Sequence, residues 1–413
     1  MVLANRRQIQ LRPSCLEDLL PADHRARSLW ALVEELDLGS FHESIRSRQD
    51  GVGRPAIDPR ILVTLWLYAT SEGVGSAREL ARLCESHDGY RWICGGVSVN
   101  HHTLSDFRVG HGKALDDLMT QVLAVLMRQG LVKLNRVAQD GMRVRASAGA
   151  ASFRREKSLK ACLKAARKQV ERAKRESDRP DSQRSARKRA AAMRAARDRE
   201  ERIRRALAEL PQARATKARN GKDKDQARVS TTDPEARVMK MGDGGFRPAF
   251  NLQLATDTES RVIVGVGVTN SGSDKNQMEP MLEDVARRTG SRPREMLVDG
   301  GYTKLESIEK ASEQGVTVYA PLPAPNKEGV DPHDPKRTDS PAVAAWRIRM
   351  DRAKSKEIYK ERAATAETVN ADLRTWRGLD RLVVRGIPKV TSVLLWAAIT
   401  YNALHWSAAT AVT

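Results

Sequence analysis

Between Arg154 and Asn220 the chain carries 24 Lys and Arg against 9 Asp and Glu, set among Ala and Gln with few strand formers. Such residues head the helix-propensity ranking, so the stretch favours long helices over any sheet. A break near Arg179-Pro180-Asp181 predicts that the helices fold back as an antiparallel hairpin. The segment also holds +15 of the net +20 charge of the 413 residues. Concentrated cations of this kind favour a polyanion such as nucleic acid, because each neutralised phosphate releases counterions. Strand-like sequence lies on both sides, so the hairpin must interrupt a second, differently built unit.

Residues 1 to about 130 read as helical. Asp58-Pro59 supplies a cap and a first-turn proline ahead of Ile61 to Leu67, and Ser76-Ala77-Arg78-Glu79 is a capping box opening a helix that carries Leu80 and Leu83. A helix follows from Thr103 through Arg108, then a longer amphipathic one to Arg128, with Gly130 as its stop. Short helices joined by Gly-containing turns permit a helix-turn-helix. Strand signals begin at Arg136 and run through Asp140 to Val144. They resume after the hairpin at Phe246 to Thr256 and Val262 to Val268, with a turn at Asp257-Thr258-Glu259-Ser260. A helix from Lys275 to Arg288, a strand ending at Asp299, a helix capped by Thr303-Lys304-Leu305-Glu306, a strand at Val316 to Tyr319 and C-terminal helices complete the order. This is a mixed α+β or α/β domain interrupted after its first strand.

Three carboxylates fall in distinctive settings: Asp140 after Val137-Ala138-Gln139, Asp299 after Met296-Leu297-Val298, and Glu367 in a helical stretch. Hard oxygen donors from separate elements are how proteins hold Mg²⁺ pairs for phosphoryl transfer. Asp140-Gly141 also reads as a simple turn pair, and Asp299 as a turn initiator. At roughly 100° per residue, Tyr359, Arg362, Glu367, Asn370 and Arg374 fall within about 140° on the helix wheel, with Glu357 and Glu361 on the far, solvated side. Lesser candidates have plainer readings. His101, His102 and Asp106 form a polar helix start, Trp346 and Trp376 are expected in the core, and Asp274 is expected to cap the helix that follows it. Cys15, Cys84, Cys94 and Cys162 lack metal-ligand spacing and fit a reducing cytosol. The N-terminus shows no signal-peptide core, and the apolar run Val390 to Ala409 is broken by Thr391, Ser392, Tyr401, Asn402 and His405, so a buried helix is expected in place of a membrane span.

Taken in order, Ala138-Gln139-Asp140-Gly141, Val298-Asp299-Gly300-Gly301-Tyr302 and Tyr359-x-x-Arg362-x-x-x-x-Glu367-x-x-x-x-x-x-Arg374 resemble the catalytic blocks of bacterial insertion-sequence DDE transposases. The last is similar to the tyrosine–arginine–glutamate signature of one superfamily, with four residues in place of three between arginine and glutamate, and Arg374 where lysine is usual. Gly53 to Pro59, Thr232 to Arg237 and Val384 to Val390 resemble further blocks. The resemblance implies an RNase H-like catalytic domain (131–153 and 228–413), a helical N-terminal domain that binds DNA ends (1–130) and an inserted basic helical hairpin (154–227). It implies Asp140, Asp299 and Glu367 as catalytic, metal-holding residues with two Mg²⁺ or Mn²⁺ ions. Tyr359, Arg362 and Arg374 are implied at DNA phosphates, and Arg143 and Arg108 are further candidates for DNA binding. The implied partners are double-stranded DNA, as terminal inverted repeats and target, and a second copy of the chain, in the bacterial cytoplasm on the nucleoid. An RNase H-like nuclease, or an inactive DNA-binding protein derived from a transposase, are the alternative readings.

Overall fold

The computed structural model describes residues 15–43, 56–177, 185–325 and 330–410. Gly53-Arg54-Pro55 and the break at Arg179-Pro180-Asp181 lie outside the described residues. The N-terminal part consists of α1 (Arg25–Glu34), α2 (Gly39–His42), α3 (Pro59–Ser71), α4 (Ala77–Ser86), α5 (Asp88–Cys94), α6 (His101–Gly110) and α7 (Gly112–Arg128). Its caps are those the sequence predicts: the Asp58 carboxylate accepts from Arg60 N, and the Ser76 hydroxyl accepts from Glu79 N. α3 is buried from Leu62 to Ser71, with the Trp66 indole donating to the Leu104 carbonyl of α6.

After α7 come β1 (Arg136–Arg145), β2 (Phe153–Arg154), α8 (Glu156–Ser177), α9 (Ala186–Arg219) and β3 (Val229–Ser230). Then follow β4 (Arg237–Lys240), β5 (Phe246–Asp257), β6 (Ile263–Thr269), α10 (Met278–Thr289), β7 (Glu295–Leu297), α11 (Leu305–Glu313) and β8 (Thr317–Tyr319). α12 (Pro341–Asp351), α13 (Ala353–Thr375) and α14 (Ile387–Thr410) end the described chain.

β1, β5 and β6 form an antiparallel meander, and β7 and β8 add in parallel beyond β1. This mixed sheet, interrupted after its first strand, is the RNase H-like arrangement. The expected turn after β5 is real: the Asp257 carboxylate accepts from the backbone N–H groups of Glu259, Ser260 and Leu134. β4, a short strand paired with the start of β5, was not expected. Thr303 does not cap α11; its hydroxyl donates to the Gly300 carbonyl, and the helix begins at Leu305.

α8 and α9 are antiparallel, as contacts Glu156–Arg214, Arg167–Glu200 and Gln169–Arg199 show by their opposed numbering. Their seam is made of small and aliphatic residues, Leu159, Ala166, Ala173, Ala196, Ile203, Ala206 and Leu210, which lets the helices approach closely while the cations face outward. β2 and β3 pair antiparallel at the base, so the chain returns to where it left.

α14 is the central helix. It packs against α7, α3 and β6, and several of its polar residues are used inside the protein. The Asn402 amide accepts from Ile263 N and donates to Ile263 O, satisfying a sheet edge; Thr400 donates to Leu67 O, and the Trp396 indole to Arg108 O. No described helix is long and apolar enough to cross a membrane. A buried ion cluster ties the sheet to the N-terminal helices: Arg288 of α10, its side chain 2 % exposed, bonds both Asp116 of α7 and Asp284. Removing one member of such a cluster leaves charge without its partner. Arg288→Ala should therefore lower unfolding stability by about 3 kcal/mol in urea titrations; a loss under about 1 kcal/mol would mean that Arg287, which also bonds both acids, compensates fully.

Candidate active site

The parallel register of β1 and β7 pairs Val137 with Met296 and Ala138 with Leu297. Two residues beyond the last pair stand Asp140, still within β1, and Asp299, just past the end of β7; extending the register puts them at about one level, near enough for the Asp299 charge to raise the Asp140 pKa. Adjacent strands lie about 4.8 Å apart, and this end is the carboxyl edge of β7, where α/β sheets bind ligands. Asp299 accepts from Gly301 N at 2.7 Å and so opens the short 3₁₀ turn Gly300–Tyr302, as the sequence predicts.

α13 crosses this edge. Its Arg362 lies 3.9 Å from Asp140 Oδ1 and 4.0 Å from Glu367 Oε1, placing one positive charge between two of the three predicted acids. Asn370 donates to Asp140 Oδ2 at 2.9 Å. The Tyr359 ring, half-buried, lies 5.9 Å from the Arg362 guanidinium carbon, and burial raises the phenol pKa. The polar face predicted for α13 thus divides. Arg362, Tyr359 and Asn370 turn toward the sheet, whereas Glu367 (side chain 69 % exposed) and Arg374 face solvent. Glu361 corrects the wheel: it is not simply solvated but pairs with Arg136 at the start of β1, while Glu357 is exposed and pairs with Lys360.

Asp140 is held in a poorly hydrated place. Burial is the main cause that pushes its carboxyl from the ordinary 3.8 to about 6; the Gly141 N–H and Arg362 pull it down, and the negative charges of Asp299 and Asp274 push it further up. Asp274 was expected as a helix cap, and that expectation fails: α10 starts four residues later, at Met278. Its side chain is instead 11 % exposed, accepting from Asn251 at 2.7 Å and Gln253 at 2.8 Å, with Arg143 at 3.4 Å. Gln253 also accepts from the Tyr302 hydroxyl and from Gln139, so a continuous buried polar network underlies the acids. The sequence signal was present but faint: Asn251 and Gln253 alternate on one face of an otherwise apolar strand, opposite a glycine.

Arg108, a candidate for DNA binding, is partly buried among the N-terminal helices, its guanidinium 4.7 Å from the Trp66 ring centre and donating to the Gly75 carbonyl, and desolvation lowers its pKa. Arg143 is engaged by Asp274 and the Gly272 carbonyl. Trp346 is buried as expected, but Trp376, just past α13, is 64 % exposed, against expectation.

Two family descriptions match the chain: "Transposase domain (DUF772)" over residues 14–110 and "Transposase DDE domain" over residues 213–403. The chain belongs to the insertion-sequence DDE transposases. Asp299 and Glu367 of this transposase fall within the DDE match; Asp140 and most of the hairpin lie between the two matched regions, the end of α9 falling inside the DDE match. No curated protein and no solved structure matches it. DDE transposases generally use divalent metal ions. Among the described residues no three His, Cys, Asp or Glu side chains converge tightly enough to hold an ion. The donors nevertheless suit one: Asp140 and Asp299 are hard oxygen ligands side by side, and a single arginine, at long range, is what offsets the buried Asp140 charge.

The raised Asp140 pKa has a consequence for metal-free stability. The folded value exceeds the unfolded one, so the stabilising contribution is complete below about pH 4 and is lost as pH rises through about 6. Asp140→Asn cannot ionise; between pH 5 and 7.5 in EDTA it should lose less stability than the parent by about 1.4 kcal/mol. Urea titrations at both pH values check this, and parallel pH dependences would show that Asp140 is better hydrated than its surroundings imply.

Proposed function

We propose that this transposase recognises the terminal inverted repeats of its element, cuts the DNA strands there and joins them to target DNA. In this reading residues 1–130 and the basic hairpin, 154–227, grip double-stranded DNA, and the chemistry belongs to 131–153 and 228–413. The observation that carries it is the nearness of Asp140 and Asp299 at the ends of neighbouring strands, with Arg362 lying between Asp140 and the solvent-facing Glu367.

Asp140, Asp299 and Glu367 would hold the divalent ions, two Mg²⁺ or Mn²⁺. When bound, such ions activate the attacking water or 3′-hydroxyl and stabilise the leaving oxygen. Arg362 then has a second task. With the acids neutralised, its guanidinium is released toward a DNA phosphate, which its planar fork can grip through two hydrogen bonds. Tyr359 steadies that arginine by lying against it. Arg374, exposed beyond Glu367 on the same helix, contacts a neighbouring phosphate, and Arg143 supports the site from the opposite sheet face. Pairing two ends calls for two copies of the chain, and the enzyme works on DNA of the bacterial nucleoid.

Asp140→Asn, Asp299→Asn and Glu367→Gln should each slow Mg²⁺-dependent cleavage of DNA bearing the repeats by on the order of 10³-fold, the scale of losing a key charge at a transition state. DNA affinity, measured by mobility shift, should stay near the parental value. Parental cleavage by Glu367→Gln would remove that residue from the proposal, and equal cutting of RNA–DNA hybrids without repeats would favour a nuclease.

A further inference from the structure

Alternation along β1 turns the Gly141 position to the sheet face opposite Asp140. That face holds Asp274. A side chain at 141 would collide with it: a Cβ there would lie 2.4 Å from Asp274 Oδ1 and 2.5 Å from the Gln253 amide nitrogen. The other oxygen, Oδ2, lies 3.7 Å from where a Cβ would sit at Gly301. One carboxylate therefore fills the space of a side chain at 141, the residue after Asp140, and reaches to van der Waals distance of the turn that Asp299 opens and hydrogen-bonds.

The chemistry of this arrangement is unusual for a mere spacer. Neutral amides from Asn251 and Gln253, plus one long contact to Arg143, are weak compensation for a buried negative charge. An asparagine could fill the same volume and accept both amide hydrogen bonds through one oxygen, giving up only the 3.4 Å contact to Arg143. Two further oxygens of the network, Asn251 Oδ1 and Gln139 Oε1, are buried without a hydrogen-bond partner, so the network is rich in acceptors as well as charge. A surplus of buried negative potential beneath two carboxylates lowers stability on its own. It becomes useful when a cation enters above it, as groups behind metal ligands tune affinity elsewhere.

We propose that Asp274 is a positioning residue of the cation centre: it fixes the spacing of the strand ends that carry Asp140 and Asp299, and its charge strengthens divalent-ion binding without touching the DNA. The inference rests on the reading of Asp140 and Asp299 as ion-holding acids, so its test includes that reading as a control. Mn²⁺ binding to the full-length, DNA-free protein is measured by calorimetry or electron paramagnetic resonance, with thermal melting in EDTA alongside. Asp274→Asn keeps the shape and removes the charge. It should melt at or above the parental temperature in EDTA, bind Mn²⁺ at least about tenfold more weakly, and recover most of its cleavage rate at saturating Mn²⁺. Asp274→Ala, which also removes the spacer, should not recover at any Mn²⁺ concentration.

Parental Mn²⁺ affinity in Asp274→Asn, with binding lost in Asp140→Asn, would overturn the role of Asp274 and leave the acids' assignment intact. Parental affinity in both variants would overturn the assignment itself. A lower melting temperature in Asp274→Asn with unchanged Mn²⁺ affinity would make Asp274 purely structural and overturn the inference too.

Discussion

Like charges repel, and this fold brings Asp140 and Asp299 to one level on adjacent strands with a third carboxylate, Asp274, packed behind them. The surrounding architecture can be understood as what makes that tolerable. β1 is fixed on both sides, antiparallel to β5 and parallel to β7, so Asp140 cannot retreat along the sheet. Arg362 and Asn370 come from α13 on one face; Asn251, Gln253 and Arg143 serve Asp274 on the other. Even so, the balance leaves Asp140 reluctant to ionise, and the cause is the scarcity of water more than the neighbouring charges. A site so arranged is strained electrostatically until positive charge enters it, a common trade of stability for activity.

Holding that arrangement needs a rigid sheet, and rigidity comes from elements distant from the acids. α14 satisfies the exposed edge of β6 through Asn402 and packs the sheet against α3 and α7. Arg288 of α10, itself buried and held by Asp284 of the same helix, reaches Asp116 of α7. The N-terminal helices and the sheet therefore share one continuous apolar core, whereas the hairpin has a small core of its own around Leu159, Ala206 and Leu210. The hairpin leaves and rejoins the domain at a two-stranded ribbon, so its length and charge impose little on the sheet.

The strands around Asp140 and Asp299, the helical hairpin, the caps at Asp58 and Ser76 and the buried nature of α14 were legible because each rests on local pattern: periodicity, composition or a capping residue. What escaped was decided by tertiary contact. Asp274 precedes a helix as a cap would, and side chains of β5 and β1 draw it inward. Arg108 has the local look of a surface cation, yet Trp66 from another helix gives it a face to stack on. Glu361 lies on the wheel's solvent side, but Arg136 reaches it from β1. Trp376 follows the last turn of its helix, where nothing covers it, so hydrophobicity alone misplaced it. β4 is four residues long and owes its existence to pairing with β5.

In the proposed mechanism Asp140 and Asp299 together bind divalent ions at the sheet edge. The most direct measurement is an anomalous difference map from crystals of the full chain soaked in Mn²⁺. The account predicts a peak within about 2.0–2.6 Å of carboxylate oxygens from both residues, the span of hard-cation bonds. Well-ordered Asp140 and Asp299 side chains with manganese bound only elsewhere on the protein would contradict it.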